Sequence, residues 1–154
     1  MSIGFYAGSF DPFTNGHLHI VSTASKMFDK IIVGIGVNET KTRKYDKQLM
    51  QQAINKTFLE LGITNAECIV YSGLTVDKAN ELNCNFLIRG LRNSKDYEAE
   101  ENLAKINYKL GGLDTIFIRA NDYDIISSTL VNELKKEGKD YSSFVPKQIY
   151  EIMK

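Results

Sequence analysis

The chain predicts an α/β fold: a Rossmann-like, doubly wound, five-stranded parallel sheet in a single domain spanning residues 1-154. β-rich apolar runs recur five times, and each is separated from the next by enough residues for a helical crossover. The runs are continuously apolar, as in Ile31-Ile32-Val33, where a sheet with one solvated face would alternate. A length of 154 residues matches one domain and is enough to bury a core without staples.

The first run, Ile3 to Ala7, leads into Gly8-Ser9-Phe10-Asp11-Pro12-Phe13-Thr14-Asn15-Gly16-His17. A helix from His17 to Phe28 follows, with Val21, Ala24 and Phe28 recurring at helical spacing below His17. A strand from Ile31 to Val37 precedes a polar, charged segment, Asn38 to Lys44, that reads as an exposed loop. Next come a helix from Asp46 to Leu61, a strand from Glu67 to Tyr71, a helix from Thr75 to Leu82 and a strand from Asn85 to Ile88. A helix from Asp96 to Leu110 ends at Gly111-Gly112, which tolerate positive φ, and a strand from Thr115 to Ile118 completes the sheet. The chain closes with a helix from Ser127 to Lys136, stopped near Gly138, and another started by Pro146.

Nineteen basic residues balance nineteen acidic ones, so nothing predicts the broad positive surface of a non-specific nucleic-acid binder, and any anion site must be local. Cys68 and Cys84 are too few for a disulfide framework and too far apart for a C-x-x-C pair; they read as buried thiols, and the cytoplasm is the expected compartment. No secretory leader or membrane-spanning run is expected.

Four constellations carry candidate chemistry. The segment Gly8 to His17 joins a strand end to a helix start, where open α/β sheets bind phosphates. His17 points inward and His19 roughly opposite, so the two do not share a metal; the segment also suits a plain turn and N-cap. In Ile88-Arg89-Gly90-Leu91-Arg92, two arginines three apart either clamp a polyphosphate or stand as solvated charges. On the next helix Glu100, Leu103, Ala104 and Asn107 share a face that meets either a partner subunit or a ligand, whereas Glu98 and Glu101 are solvated. In Ile125-Ile126-Ser127-Ser128-Thr129, hydroxyls gather at a helix start, which suits capping and phosphate binding alike. Lys41, after the second strand, is a surface lysine unless that strand opens onto the same crevice as the first.

The G-x-x-x-x-G-K-S/T loop of P-loop enzymes is missing, and Gly34-Ile35-Gly36 lacks the third glycine of a dinucleotide fingerprint. No cysteine nucleophile with a base, no G-x-S-x-G elbow and no close carboxylate pair is visible.

Taken together, these motifs resemble the nucleotidyltransferase superfamily with the H/T-x-G-H signature, here Thr14-Asn15-Gly16-His17, and within it the phosphopantetheine adenylyltransferase family. The resemblance runs collinearly from Tyr6 to about Pro146 and includes I-R-G-L-R and I-S-S-T. It implies that ATP and 4′-phosphopantetheine are joined to give dephospho-coenzyme A and pyrophosphate in coenzyme A biosynthesis, by direct in-line attack on the α-phosphorus. It carries Ser9, Lys41, Thr75 and Arg89 over as pantetheine-side positions. For ATP it implies Ser9, Phe10, His17, Gly90, Leu91, Arg92 and Glu100, together with Tyr123, Asp124, Ile125, Ile126, Ser127, Ser128 and Thr129. His17, Lys41 and Arg92 are the implied catalytic residues: His17 and Lys41 at the α-phosphate, Arg92 with the 127-129 helix start at the β- and γ-phosphates. Mg2+ is expected with ATP and pyrophosphate, without dedicated protein ligands. The resemblance further implies a homohexamer, and dephospho-coenzyme A and coenzyme A as ligands, with no nucleic-acid or membrane partner.

The chemistry fits such groups. A phosphate monoester is already anionic at neutral pH, so the nucleophile needs no strong base, and the barrier lies in joining two anions. The segment Tyr45 to Met50 lacks the family's usual arginine near the start of the second crossover helix, and Asn132 stands where a basic residue is usual after the serine-threonine motif; weaker nucleotide affinity is the expectation for the latter. The alternatives are an adenylyltransferase of the same fold acting on nicotinate mononucleotide, which the threonine of T-x-G-H and the I-R-G-L-R run disfavour, and a non-catalytic nucleotide-binding module.

Overall fold

The computed structural model describes residues 1–154. The five apolar runs form β1 (Ile3–Gly8), β2 (Lys30–Val37), β3 (Ala66–Ser72), β4 (Phe86–Leu91) and β5 (Thr115–Arg119). They pair in one sheet in the order β3-β2-β1-β4-β5, with every pairing parallel. Six helices connect and cover them: α1 (Asn15–Ser25), α2 (Lys47–Glu60), α3 (Thr75–Glu81), α4 (Ser94–Gly111), α5 (Ser128–Lys136) and α6 (Lys147–Met153). Short 3-10 turns occupy Asn121–Tyr123 and Ser142–Phe144. No helix is long and apolar enough to cross a membrane.

Successive side chains of a strand point to opposite faces, and both faces here are buried. On β1, Tyr6 joins a cluster of 22 buried residues that includes Val21, Ile54 and Ile149 from α1, α2 and α6. Phe5 and Ala7 join a cluster of 9 on the other face, with Val76 and Ala79 of α3. The second layer is therefore the thinner one, and α4, which belongs to it, buries no residue fully. Cys68 and Cys84 are free buried thiols, and burial pushes them up to about 12 and about 11, which keeps them protonated and unreactive.

Strand order reverses between β1 and β4, so a crevice forms outside their carboxyl ends. Register sharpens this. β1 pairs with β2 up to Gly8↔Ile35, but with β4 only up to Tyr6↔Ile88. β4 meanwhile continues with β5 to Leu91↔Arg119. The sheet splits along the β1/β4 seam just where both strands reach their polar motifs. The strand expected to end at Ile88 thus runs on to Leu91, because Arg89, Gly90 and Leu91 find backbone partners in β5. α1 stops at Ser25, short of the expected Phe28, because the Lys26, Met27 and Phe28 N–H groups all turn back onto Thr23 and Ala24 carbonyls.

Gly34 in the middle of β2 marks the tightest point of the thin layer. A Cβ there would stand 2.6 Å from Phe5 Cζ and 2.8 Å from Tyr71 Cε1, two rings already packed edge to face at 5.4 Å. Gly34→Ala is expected to cost about 1–3 kcal/mol by overpacking. Urea unfolding reads this as a lower midpoint at constant slope, and an unchanged midpoint contradicts it.

Candidate active site

Beyond β1 the chain turns through Phe10, which holds a left-handed φ of 47°, and a cis Asp11–Pro12 bond. The Phe10 and Phe13 rings pack inward against His17, with centroids 4.9 and 5.5 Å from the imidazole. Thr14, fully buried, is the N-cap of α1. Its Oγ1 accepts the His17 N–H at 3.4 Å, while the Thr14 N–H donates to His17 Nδ1 at 2.9 Å. This is a capping box in which histidine stands where glutamate or glutamine is usual, and two orphan donors of the helix start are satisfied at once.

That second bond decides the chemistry of the imidazole. A backbone N–H only donates, so Nδ1 is an acceptor, and the proton of the neutral ring sits on Nε2. Nε2 has no partner in the fold, and His17 lines the cleft. Burial, then the nearby Arg89 and Arg92 charges, push the imidazole down to about 3. His17 is a neutral Nε2–H donor at physiological pH. Gly16 beside it is set by close approach: a Cβ would meet the Ile126 carbonyl at 3.2 Å.

On the β4 side, Arg89 donates Nε and one terminal nitrogen to the two oxygens of Glu100, both at 2.8 Å, and its other terminal nitrogen to the Ala7 carbonyl at 3.0 Å. It caps the carbonyl stranded where β1 leaves β4. Glu100 raises the Arg89 pKa further, so the guanidinium is held both charged and in place. Arg92 pairs with Asp96 at 3.2 Å on a more exposed surface. Exposed pairs contribute about 0–1 kcal/mol, so Arg92 is free to turn to a ligand at small cost.

From the third side, the Ser127 side chain caps α5 by accepting the Leu130 N–H at 3.1 Å. Ser128 Oγ donates to the Pro12 carbonyl at 2.7 Å, and Asn132 Nδ2 donates to the Asp11 carbonyl at 3.0 Å. The start of α5 is thereby bolted to the β1 loop. Asn132, where a basic residue was expected, serves that junction.

The resulting cleft has a volume of about 300 Å³. Of the positions expected at the site, Ser9, Phe10, His17, Arg89, Gly90, Arg92, Glu100, Tyr123, Ile126, Ser127 and Ser128 line it. Leu91, Asp124, Ile125 and Thr129 do not; the last three are exposed, and Leu91 is committed to the β4/β5 ladder. Glu100, expected at ATP, has both oxygens on Arg89. Lys41 is exposed on the Asn38 to Lys44 segment, and its side chain has no polar partner. Thr75 stands outside the cleft at the start of α3, bonded to the Tyr71 hydroxyl at 2.9 Å. Leu103, expected on the same face as Glu100, is exposed. No group of three histidine, cysteine, aspartate or glutamate side chains converges to hold a metal.

The sequence reading missed Arg43 and the role of Asp11. Arg43 lies within a polar run that reads as exposed, yet its side chain is 17% exposed and reaches the Ser9 and Phe10 carbonyls. Asp11 accepts the Lys44 and Tyr45 N–H groups at 2.8 and 2.9 Å. No periodicity marks either contact, since both link segments more than thirty residues apart.

The sequence model of the cytidylyltransferase-like family matches residues 5–134. A phosphopantetheine adenylyltransferase of Leuconostoc citreum is 40% identical over 100% of this chain and 98% of its own. One of Methylacidiphilum infernorum is 38% identical over 97% of this chain and 87% of its own. Among solved structures, a Vibrio parahaemolyticus chain described as a nicotinate-nucleotide adenylyltransferase superposes with a TM-score of 0.73, covering 99% of this chain and 92% of that one. At 16% identity that likeness shows the shared fold alone. Fold, motif order and full-length identity together make this chain a member of the cytidylyltransferase-like family and, within it, of the phosphopantetheine adenylyltransferases.

Proposed function

We propose that this chain joins ATP and 4′-phosphopantetheine, releasing pyrophosphate and giving dephospho-coenzyme A. The observation that carries the mechanism is the neutral Nε2–H of His17, held by the helix cap at the head of a cleft that also contains two arginines. A phosphate oxygen of phosphopantetheine attacks the α-phosphorus, and the bond from that phosphorus to the oxygen bridging it to the β-phosphate breaks. No proton needs to be removed from the nucleophile, so a general base is not required. His17 donates to a non-bridging α-phosphate oxygen as charge builds there.

Arg89, fixed by Glu100 and Ala7, meets the incoming phosphate with its charge already oriented. Arg92 and the free N–H groups at the start of α5 take the β- and γ-phosphates. Lys41 follows the α-phosphate from its exposed segment, and Ser9 and Thr75 extend the pantetheine side; Thr75 sits past β3 on the same carboxyl rim. Mg2+ carried by the nucleotide would offset the charge of the leaving pyrophosphate, while Asp96 and Glu100, the carboxylates in the cleft, hold Arg92 and Arg89. The reading includes a cytoplasmic homo-oligomer, a hexamer as in the family. On α4, Leu103, Ile106 and Leu110 follow one another at i, i+3 and i+7 and are 38–57% exposed, as expected of a face that meets another subunit. Light scattering that reports a monomer at micromolar concentration contradicts it.

The direct test is incubation with ATP, Mg2+ and 4′-phosphopantetheine, with nicotinate mononucleotide as the control acceptor. Pyrophosphate should appear with the first acceptor; its absence overturns the reading. His17→Ala should lower turnover by about 100–1000-fold, in line with loss of an oxyanion donor. Lys41→Ala should also lower turnover, yet leave stability within about 0.5 kcal/mol because its side chain supports nothing in the fold. Unimpaired turnover in either variant removes that residue from the mechanism.

The His17 pKa also makes a stability prediction. Between pH 6.5 and about 3 the unfolded chain takes up a proton at this histidine that the folded chain refuses, so stability falls as pH falls. The slope is at most about 1.4 kcal/mol per pH unit from this group. Denaturation of wild type and His17→Gln from pH 7 to pH 4 should show a shallower loss in the variant; parallel curves contradict it.

A further inference from the structure

The Arg43 guanidinium donates to three carbonyls, those of Ser9, Phe10 and Tyr45, and its charge lies 3.7 Å from Asp11 Oδ1. It thus grips three consecutive residues of the β1 loop from behind. Ser9 and Phe10 line the cleft, and Arg43 does not. The loop needs holding: Phe10 sits at φ 47°, a conformation that costs an L-residue about 1–2 kcal/mol.

A trans peptide carries its C=O and N–H on opposite sides. With the Ser9 and Phe10 carbonyls drawn onto Arg43, the N–H groups of Phe10 and Asp11 are turned the other way, and neither finds a backbone partner within the fold. Successive N–H groups around a left-handed residue form a concavity that binds anions. We infer that Arg43 is a positioning residue that aims the Phe10 and Asp11 N–H groups at the phosphates of the nucleotide while tying the Lys41-bearing segment to the same loop. A planar fork suits this task, since it serves adjacent carbonyls at once; a lysine ammonium offers one point charge. The inference rests on the proposed use of ATP.

The experiment titrates wild type, Arg43→Ala and Arg43→Lys by NMR with ATP and, separately, with adenosine, which keeps base and sugar but has no phosphate. Arg43→Ala should weaken ATP about tenfold or more, the scale of one lost charge-assisted bond, and leave adenosine within about twofold. Arg43→Lys should fall between. Equal ATP affinity in wild type and Arg43→Ala overturns the inference, as does a parallel loss of ATP and adenosine, which marks general collapse of the site. If the alanine variant fails to fold, the same two ligands decide through Arg43→Lys. Wild-type protein that does not bind ATP counts against the functional reading itself.

Discussion

One hydrogen bond, from the Thr14 N–H to His17 Nδ1, serves the fold and the chemistry together. On the structural side it closes the capping box of α1, satisfying a donor that would be orphaned at a fully buried threonine. On the chemical side it occupies the one ring nitrogen that faces the helix start, leaving Nε2–H for the cleft. Packed beside the Phe10 and Phe13 rings and close to the Arg89 and Arg92 charges, the imidazole stays uncharged. Removing the cap would therefore free a helix end and a tautomer in the same stroke. Because the bond lies at the exit of β1, the split in the sheet between β1 and β4 becomes a site instead of a gap.

A chain with no net charge must concentrate cations to hold two anions. It does so by storing them against carboxylates of α4. The two stored arginines differ in grip. Arg89 makes three hydrogen bonds, one of them to the backbone of β1, and is part of the scaffold; Arg92 has a weak, exposed pair and is available to move. Glu100 accordingly acts on Arg89, a role its helix spacing alone did not reveal.

What the sequence made legible is what periodicity and motif placement encode. The continuous apolar runs gave the parallel sheet, and the strand-to-helix polar motifs gave most of the cleft: Ser9, Phe10, His17, Arg89, Gly90, Arg92, Ser127 and Ser128 all line it. What stayed hidden depends on partners distant in sequence. β4 runs past Ile88 because β5 offers a ladder there. Arg43 reads as one more charge in a polar loop until Ser9, 34 residues earlier, is placed beside it. Lys41 and Thr75 lie outside the cleft, since no contact within the fold draws their side chains into it.

The most direct test of the central claim is the nitrogen NMR spectrum of 15N-histidine-labelled protein, recorded from pH 7 down to pH 4. His17 is predicted to show an unprotonated Nδ1 and a protonated Nε2 throughout, because its pKa is pushed down to about 3. A His17 ring that is doubly protonated near neutral pH, or that carries its single proton on Nδ1, would contradict the account.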